Sequence, residues 1–360
     1  MTGETRAQAG RLPVPRPVLL TFPVKTVFSA LMNSKIAPVA AYLFIAATLI
    51  VHSSAQSDTF GTGSNQFTLD FVNVGNTANT NSSLGYGAVP YEYRIGKYEI
   101  SQHQVTKATQ LGLTGVSTTA SSTNRPAASA TWYEAAAFVN FLNTNSGKTA
   151  AYNLSLSGST WSMTLQAANQ AWTLGGTNLY RNKDAFYFLP SENEWFKAAY
   201  YNPTNTTYYT YPLGSNSAPS QLGNLGGTNP GTAVYLANIF QPGPAEIERA
   251  GGLSPYGAMG LAGNAWDWVE SSFDGANTNA SADRTFRGAA AGRPAGNMIS
   301  SYRQSVAPTI GNDDMGFRVA SVPEPSTYVL VLLGAGAIYL WKRRCGANRR
   351  SSVLKAAPVQ

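Results

Sequence analysis

The sequence predicts a loop-rich α+β domain carried between two apolar ends. Three observations predict it. Three segments begin with a hydroxyl residue and have Glu or Gln three positions on: Ser101–Gln104, Thr131–Glu134 and Ser191–Glu194. That is the capping box of a helix N-terminus, in which the two side chains satisfy orphan backbone donors. Period-two alternation, the mark of a strand, appears at Phe67, Leu69 and Phe71, and again over Tyr91–Ile100. From Tyr201 to Arg284 the chain is rich in Gly, Asn, Pro, Ser and Tyr, which predicts long ordered loops.

Taken in order, residues 56–66 are polar and read as a loose segment, and the domain proper is expected over 67–321. The first helix is expected to end near Leu111. After Thr131 the apolar residues Ala135, Phe138, Val139 and Leu142 fall at helical spacing, with an end near Asn143. After Ser191 the same spacing holds Trp195, Ala198 and Ala199, with an end near Tyr200. Arg287-Gly288 and Gly316–Ala320 read as strand fragments, and no internal repeat is present.

The formal net charge of +7 belongs to the ends. Eleven of the 25 Lys and Arg lie before residue 56 or after residue 341, beside the single acid Glu4. The stretch from Gln56 to Pro325 holds 14 basic and 17 acidic residues and is close to neutral. Basic residues beside apolar runs set membrane topology, and a body without a basic face excludes a nucleic-acid partner. The one cysteine, Cys345, lies beyond the second apolar run, so the body holds no disulfide and no thiol.

Ile36–Val51 is an apolar run of signal-peptide length, preceded by Lys35 and followed by Ser53-Ser54-Ala55. Residues 1–55 are therefore expected to be a signal peptide cut by signal peptidase after Ala55, with residues 1–31 an extension ahead of a true start at Met32. At the other end, Val322-Pro323-Glu324-Pro325-Ser326-Thr327 leads into an apolar stretch, Tyr328–Trp341, and then Lys342-Arg343-Arg344. A Pro-bounded extended segment, a short membrane helix over about 328–341 and a basic cluster place the body outside and residues 345–360 as a cytoplasmic tail. Residues 322–344 resemble the PEP-CTERM sorting signal, with Pro323, Glu324, Pro325 and Ser326 as its recognition element. The resemblance implies an exosortase as partner, membrane anchoring by the C-terminus, and a place at the envelope, surface or extracellular polysaccharide matrix.

The body carries a second resemblance. Arg125-Pro126 with Ala130-Thr131-Trp132, Leu189-Pro190-Ser191-Glu192-Asn193-Glu194-Trp195, Gly263-Asn264-Ala265-Trp266-Asp267-Trp268, Phe286-Arg287-Gly288 and Gly316-Phe317-Arg318-Val319 follow one another as in the sulfatase-modifying-factor domain. That domain has the fold of the formylglycine-generating enzyme, a variant of the C-type lectin-like fold. Its chemistry relies on a cysteine pair that binds copper, between the Arg-Gly-Gly strand and the final Gly-Phe-Arg strand. Here that interval, Gly288–Arg303, contains no cysteine. A related branch uses iron on three histidines, whereas this chain has only His52 and His103. Neither copper nor iron is expected, since Ser, Ala and Asn make no soft-ligand site. No catalytic residue is assigned, and a binding or structural role is expected. The alternatives are a divergent oxidase and a hydrolase using carboxylates among Glu192, Glu194, Asp267 and Glu270.

Members of that family hold calcium around the Gly-Asn-x-Trp loop. The matching positions are Gly260, Gly263, Ala265 and Asp267, and a second site matches Asn238 and Ile239. Structural calcium and a loop closed by hydrogen bonds alone are evenly weighted expectations. Trp132, Trp195 and Trp266 are expected in the core, Trp268 is open to either reading, and Tyr200, Tyr201, Tyr208, Tyr209 and Tyr211 are expected on a contact surface.

Overall fold

The computed structural model of the 360-residue chain describes residues 56–237 and 243–323. All three capping boxes form. Helix α1 (Gln102–Gln110) is capped by Ser101 with Gln104, α2 (Trp132–Asn145) by Thr131 with Glu134, and α3 (Glu192–Tyr200) by Ser191 with Glu194. Each helix ends within two residues of where the sequence predicts. Helix α2 buries nearly every face, because Trp132, Ala135, Ala136, Phe138, Val139 and Leu142 are all solvent-free.

Two sheets frame the domain. The first contains β1 (Gln56–Phe60), β2 (Phe67–Val74), β3 (Tyr93–Gly96), β4 (Tyr187–Phe188) and β9 (Ala320–Ser321), in the order β1-β2-β3-β9-β4 and antiparallel throughout. The second contains β5 (Trp266–Ser272), β6 (Arg284–Arg287), β7 (Gln304–Val306) and β8 (Met315–Phe317), in the order β7-β6-β5-β8. Its β5–β8 pair is parallel, and its other pairs are antiparallel.

The chain passes from β8 to β9 through Arg318 and Val319 alone, so both sheets share one segment. Ile100 donates its N–H to the Phe317 carbonyl at 2.9 Å, and Gly96 donates to Val319 at 2.7 Å. The main core lies between α2 and the sheets. Trp132 donates Nε1–H to the Val269 carbonyl, and Trp268 donates to Ala130, both at 2.9 Å.

Two expectations are corrected and one left open is decided. Residues 56–60 are not loose: β1 pairs with β2 from Gln56↔Phe71 to Phe60↔Phe67, and Phe60 stacks on Phe67 at 5.2 Å. The segment is polar because only Phe60 faces the core. The stretch from Tyr201 to Arg284 is not all loop, because its end contains the wholly buried β5. Its other described residues include short ladders such as Ser220–Leu222 with Thr232–Val234. Trp268 is a core residue, with no exposed surface.

Arg318 ties the two sheets. Its Nε donates to Asp267 of β5 at 2.6 Å, and its Nη1 donates to the carbonyls of Gly96 and Met259, both at 3.1 Å. Both ionic side chains are fully buried. Arg318→Gln strands the Asp267 carboxylate and is expected to cost about 3–5 kcal/mol, the usual loss when one partner of a buried pair is removed. Chemical denaturation of the full chain and the variant measures it, and a loss below 1 kcal/mol would contradict this account.

Candidate functional site

The loop ahead of β5 is built around glycines. Gly260 and Gly263 have φ of +73° and +79°. A Cβ on Gly263 would meet the Val234 carbonyl oxygen at 2.1 Å, so no other residue fits there. Asn264, at φ 66°, holds the turn with its side chain. Its Oδ1 accepts from the Ala245 N–H at 2.8 Å, and its Nδ2 donates to Glu99 at 2.6 Å. The Ala265 N–H donates to the other Glu99 oxygen at 3.0 Å.

A buried carboxylate therefore closes the loop from within, and it is Glu99, which the sequence reading did not single out. It occupies the space beside Gly260, where a Cβ would lie 3.0 Å from it. Burial pushes Glu99 up to about 8, helped by the Asp267 charge and opposed by Arg318 and the two hydrogen bonds.

Asp267 is turned away from this loop. Its Oδ2 accepts from Arg318 Nε at 2.6 Å and from Trp195 Nε1 at 2.9 Å. Its Oδ1 has no hydrogen-bond partner among the described residues. Burial raises its pKa, with Arg318 opposing. Of the carboxylate in the calcium set expected at Gly260, Gly263, Ala265 and Asp267, one oxygen is taken by Arg318 and Trp195. Among the described residues no three His, Cys, Asp or Glu side chains group as a metal site. Asn238 and Ile239 lie outside the described residues, as do Glu324, Pro325, Ser326, the 328–341 stretch and residues 1–55. Pro323 is described, in irregular chain after β9. Among the described residues no helix is long and apolar enough to cross a membrane.

The other acids are paired as firmly. Arg181 donates to Glu194 at 2.8 Å and to Glu270 at 2.7 Å, with all three side chains buried. Burial works to raise Glu194, but Arg181 and the Ser191 N–H hold it below the usual carboxylate range. Glu270 is raised, by burial first, against Arg181. Glu192 takes both Arg287 and Arg303, each at 2.6 Å. The carboxylates weighed for hydrolysis are thus buried anions fixed by arginines, and Glu194 has the capping role its position predicts.

The interval that carries the family cysteines, Gly288–Arg303, is buried at Gly288–Ala291 and Met298, while Gly292, Arg293 and Pro294 are exposed. Tyr200 donates its hydroxyl to the Met298 carbonyl at 2.9 Å, and Tyr302 stacks on Trp266 at 6.0 Å. Arg293, the charged residue inside it, pairs with Asp314 at 2.6 Å. His103 lies in the first turn of α1, exposed. The tyrosine surface is smaller than predicted, because Tyr200 is buried against Trp195 and Phe196, and Tyr201 against Tyr208.

Comparison with known proteins agrees with this geometry. Residues 64–322 match the sulfatase-modifying factor enzyme 1-like domain. The chain belongs to this family. Residues 321–344 match the PEP-CTERM protein-sorting motif, which makes it an exported, exosortase-sorted protein of the cell envelope. A curated relative, hercynine oxygenase of Mycolicibacterium smegmatis, is 34% identical over 83 residues, 23% of this chain and 17% of that protein. Treponema denticola variable protein 1 shares the fold with a TM-score of 0.50 at 20% identity, over 75% of this chain and all of its own. CarF aligns with a TM-score of 0.43 at 18% identity, over 75% of this chain and 97% of its own.

Two outcomes follow for the loop. Asp267→Asn is expected to lower the melting temperature equally in millimolar calcium and in chelator, because what it loses is the Arg318 pair. A calcium-dependent part of the loss would show that an ion uses this carboxylate. The second outcome concerns pH. Glu99 titrates near 8 folded and near 4.5 unfolded, so the folded state keeps a proton that the unfolded state releases. That contribution to stability is whole below about 4.5 and is lost as pH rises to about 8. Melting from pH 5 to pH 8 should show Glu99→Gln flattening this decline, and identical slopes in the two proteins would refute it.

Proposed function

We propose that this domain is a non-catalytic binding module displayed at the cell surface or in the extracellular polysaccharide matrix. The observation that carries the reading is the make-up of Gly288–Arg303. In the interval where the resemblance places a copper-binding cysteine pair this chain has no cysteine, and its buried side chains are three alanines and a methionine. Alanine and methionine side chains with backbone amides do not hold a redox copper as a thiolate pair does. The body has no cysteine to replace them, and its single histidine, His103, is exposed on α1. Acid–base chemistry finds no free group either, since Glu192, Glu194, Asp267 and Glu270 each face an arginine.

Export supports the same reading. A signal peptide ending at Ala55 puts Gln56, the first residue of β1, at the mature N-terminus, and exosortase then acts at Pro323–Ser326. In a host with exosortase, intact-mass measurement is expected to show a chain starting at Gln56 and lacking the segment after about Pro325. Retention of both apolar runs would refute this processing.

The catalytic test uses the full chain with added copper and a cysteine-containing sulfatase peptide. No conversion of cysteine to formylglycine is expected above a heat-killed control, and clear turnover would overturn the non-catalytic reading.

A further inference from the structure

A cavity of about 200 Å³ opens between three surface loops and the first turn of α3. Tyr86, Tyr91 and Trp172 give it aromatic walls. Thr177, Asn193 and Asn277 line it with polar groups that the fold leaves partly unspent. Asn193 uses its carbonyl oxygen on the Gly87 N–H at 3.0 Å, and Asn277 uses its own on the Ser272 N–H at 2.9 Å. Each therefore retains an amide NH₂ to donate, and the Thr177 hydroxyl is exposed. Leu174 lines the cavity at 55% exposure, and the exposed Leu84 precedes Gly85 of the lining.

Charge narrows the ligand. Under this cavity Arg181 faces Glu194 and Glu270, while Arg287 and Arg303 face Glu192. Three guanidiniums balance three carboxylates, so neither an anion nor a cation finds an uncompensated partner. A wholly apolar ligand would strand the two amides and the hydroxyl without bonds. What fits is a neutral ring with an apolar face for the aromatic side chains and hydroxyls around its edge. The volume is below the roughly 300–1,000 Å³ of sites for drug-sized ligands. One ring enters, not a chain.

We propose that this cavity binds a single neutral pyranose ring of a polysaccharide. The inference rests on the binding reading above and assigns that reading a site. The experiment measures binding of the full chain, in a detergent without a sugar headgroup, to neutral hexoses, to the matching uronic acids and to neutral polysaccharide. Variants are Asn193→Ala, Thr177→Val and, at the exposed mouth, Leu174→Asp, with Leu225→Ser as a control away from the cavity. Melting temperatures confirm folding of each. Hexose binding weakened roughly tenfold by Asn193→Ala with Thr177→Val, weakened also by Leu174→Asp and untouched by Leu225→Ser, is the expected result. Preference for uronic acids overturns the neutral-ring assignment. Polysaccharide binding that survives all the cavity variants overturns the site while leaving the binding reading standing. Binding of neither hexose nor polysaccharide overturns both.

Discussion

The fold depends on buried arginines meeting buried acids. Arg94, Arg181, Arg284, Arg287 and Arg318 have no exposed surface, and each lies where separate parts of the chain converge. Arg94 links β3 to Asp58 of β1 across the sheet, at 2.6 Å. Arg181 joins a loop strand to α3 and β5 through Glu194 and Glu270. Arg318 joins the sheets at the point where the chain crosses from one to the other. Among the described residues Arg284 pairs with no carboxylate. It lies over the rings of Trp132 and Tyr180, at 4.5 and 4.0 Å, and donates to the carbonyls of Ala280 and Ala282. A guanidinium has five donors in one plane, which lets a single side chain bridge several elements.

Such pairs add little net stability over well-packed apolar residues, because desolvating two ions offsets their attraction. Their value lies in geometry. A loop-rich domain without disulfides has many backbone segments whose positions no ladder fixes. Arg318 reaches a β5 carboxylate, a β3 carbonyl and a loop carbonyl at once, and only one placement of the three segments satisfies all of them. Glu99 does the same for the Gly260–Ala265 turn with two hydrogen bonds.

What the sequence showed and what it hid follow from range. Capping boxes are local, with both partners three residues apart, and all three were legible. Trp132, Trp195 and Trp266 were readable as core because indoles in a tight motif have large apolar area to bury, whereas Trp268 was not. The roles of Glu99, Arg181 and Arg303 were not readable. Glu99 meets Asn264 from 165 residues away, and Arg303 meets Glu192 from 111. Nothing local marks a charged residue for burial when its counter-ion is that distant. Strand β5 was hidden differently: it is buried on both faces, so it shows no alternation, and it follows a Gly- and Asn-rich stretch that reads as loop.

The same network bears on where function sits. Arginine-rich ties lie beneath the face formed by the first turn of α3 and the loops around Tyr86, Gly175 and Asn277. Arg303 lies over Tyr86 at 5.3 Å and over Phe273 at 4.0 Å while holding Glu192, so one side chain spans the framework and the rim. Loops anchored from below keep their side chains in place before any ligand arrives, which lowers the entropy that binding must offset. The Gly288–Arg303 interval, by contrast, spends Ala289–Ala291 and Met298 on the core. The arginine ties thus keep the framework rigid, and the cavity beside the first turn of α3 presents its hydrogen-bonding groups from that fixed base.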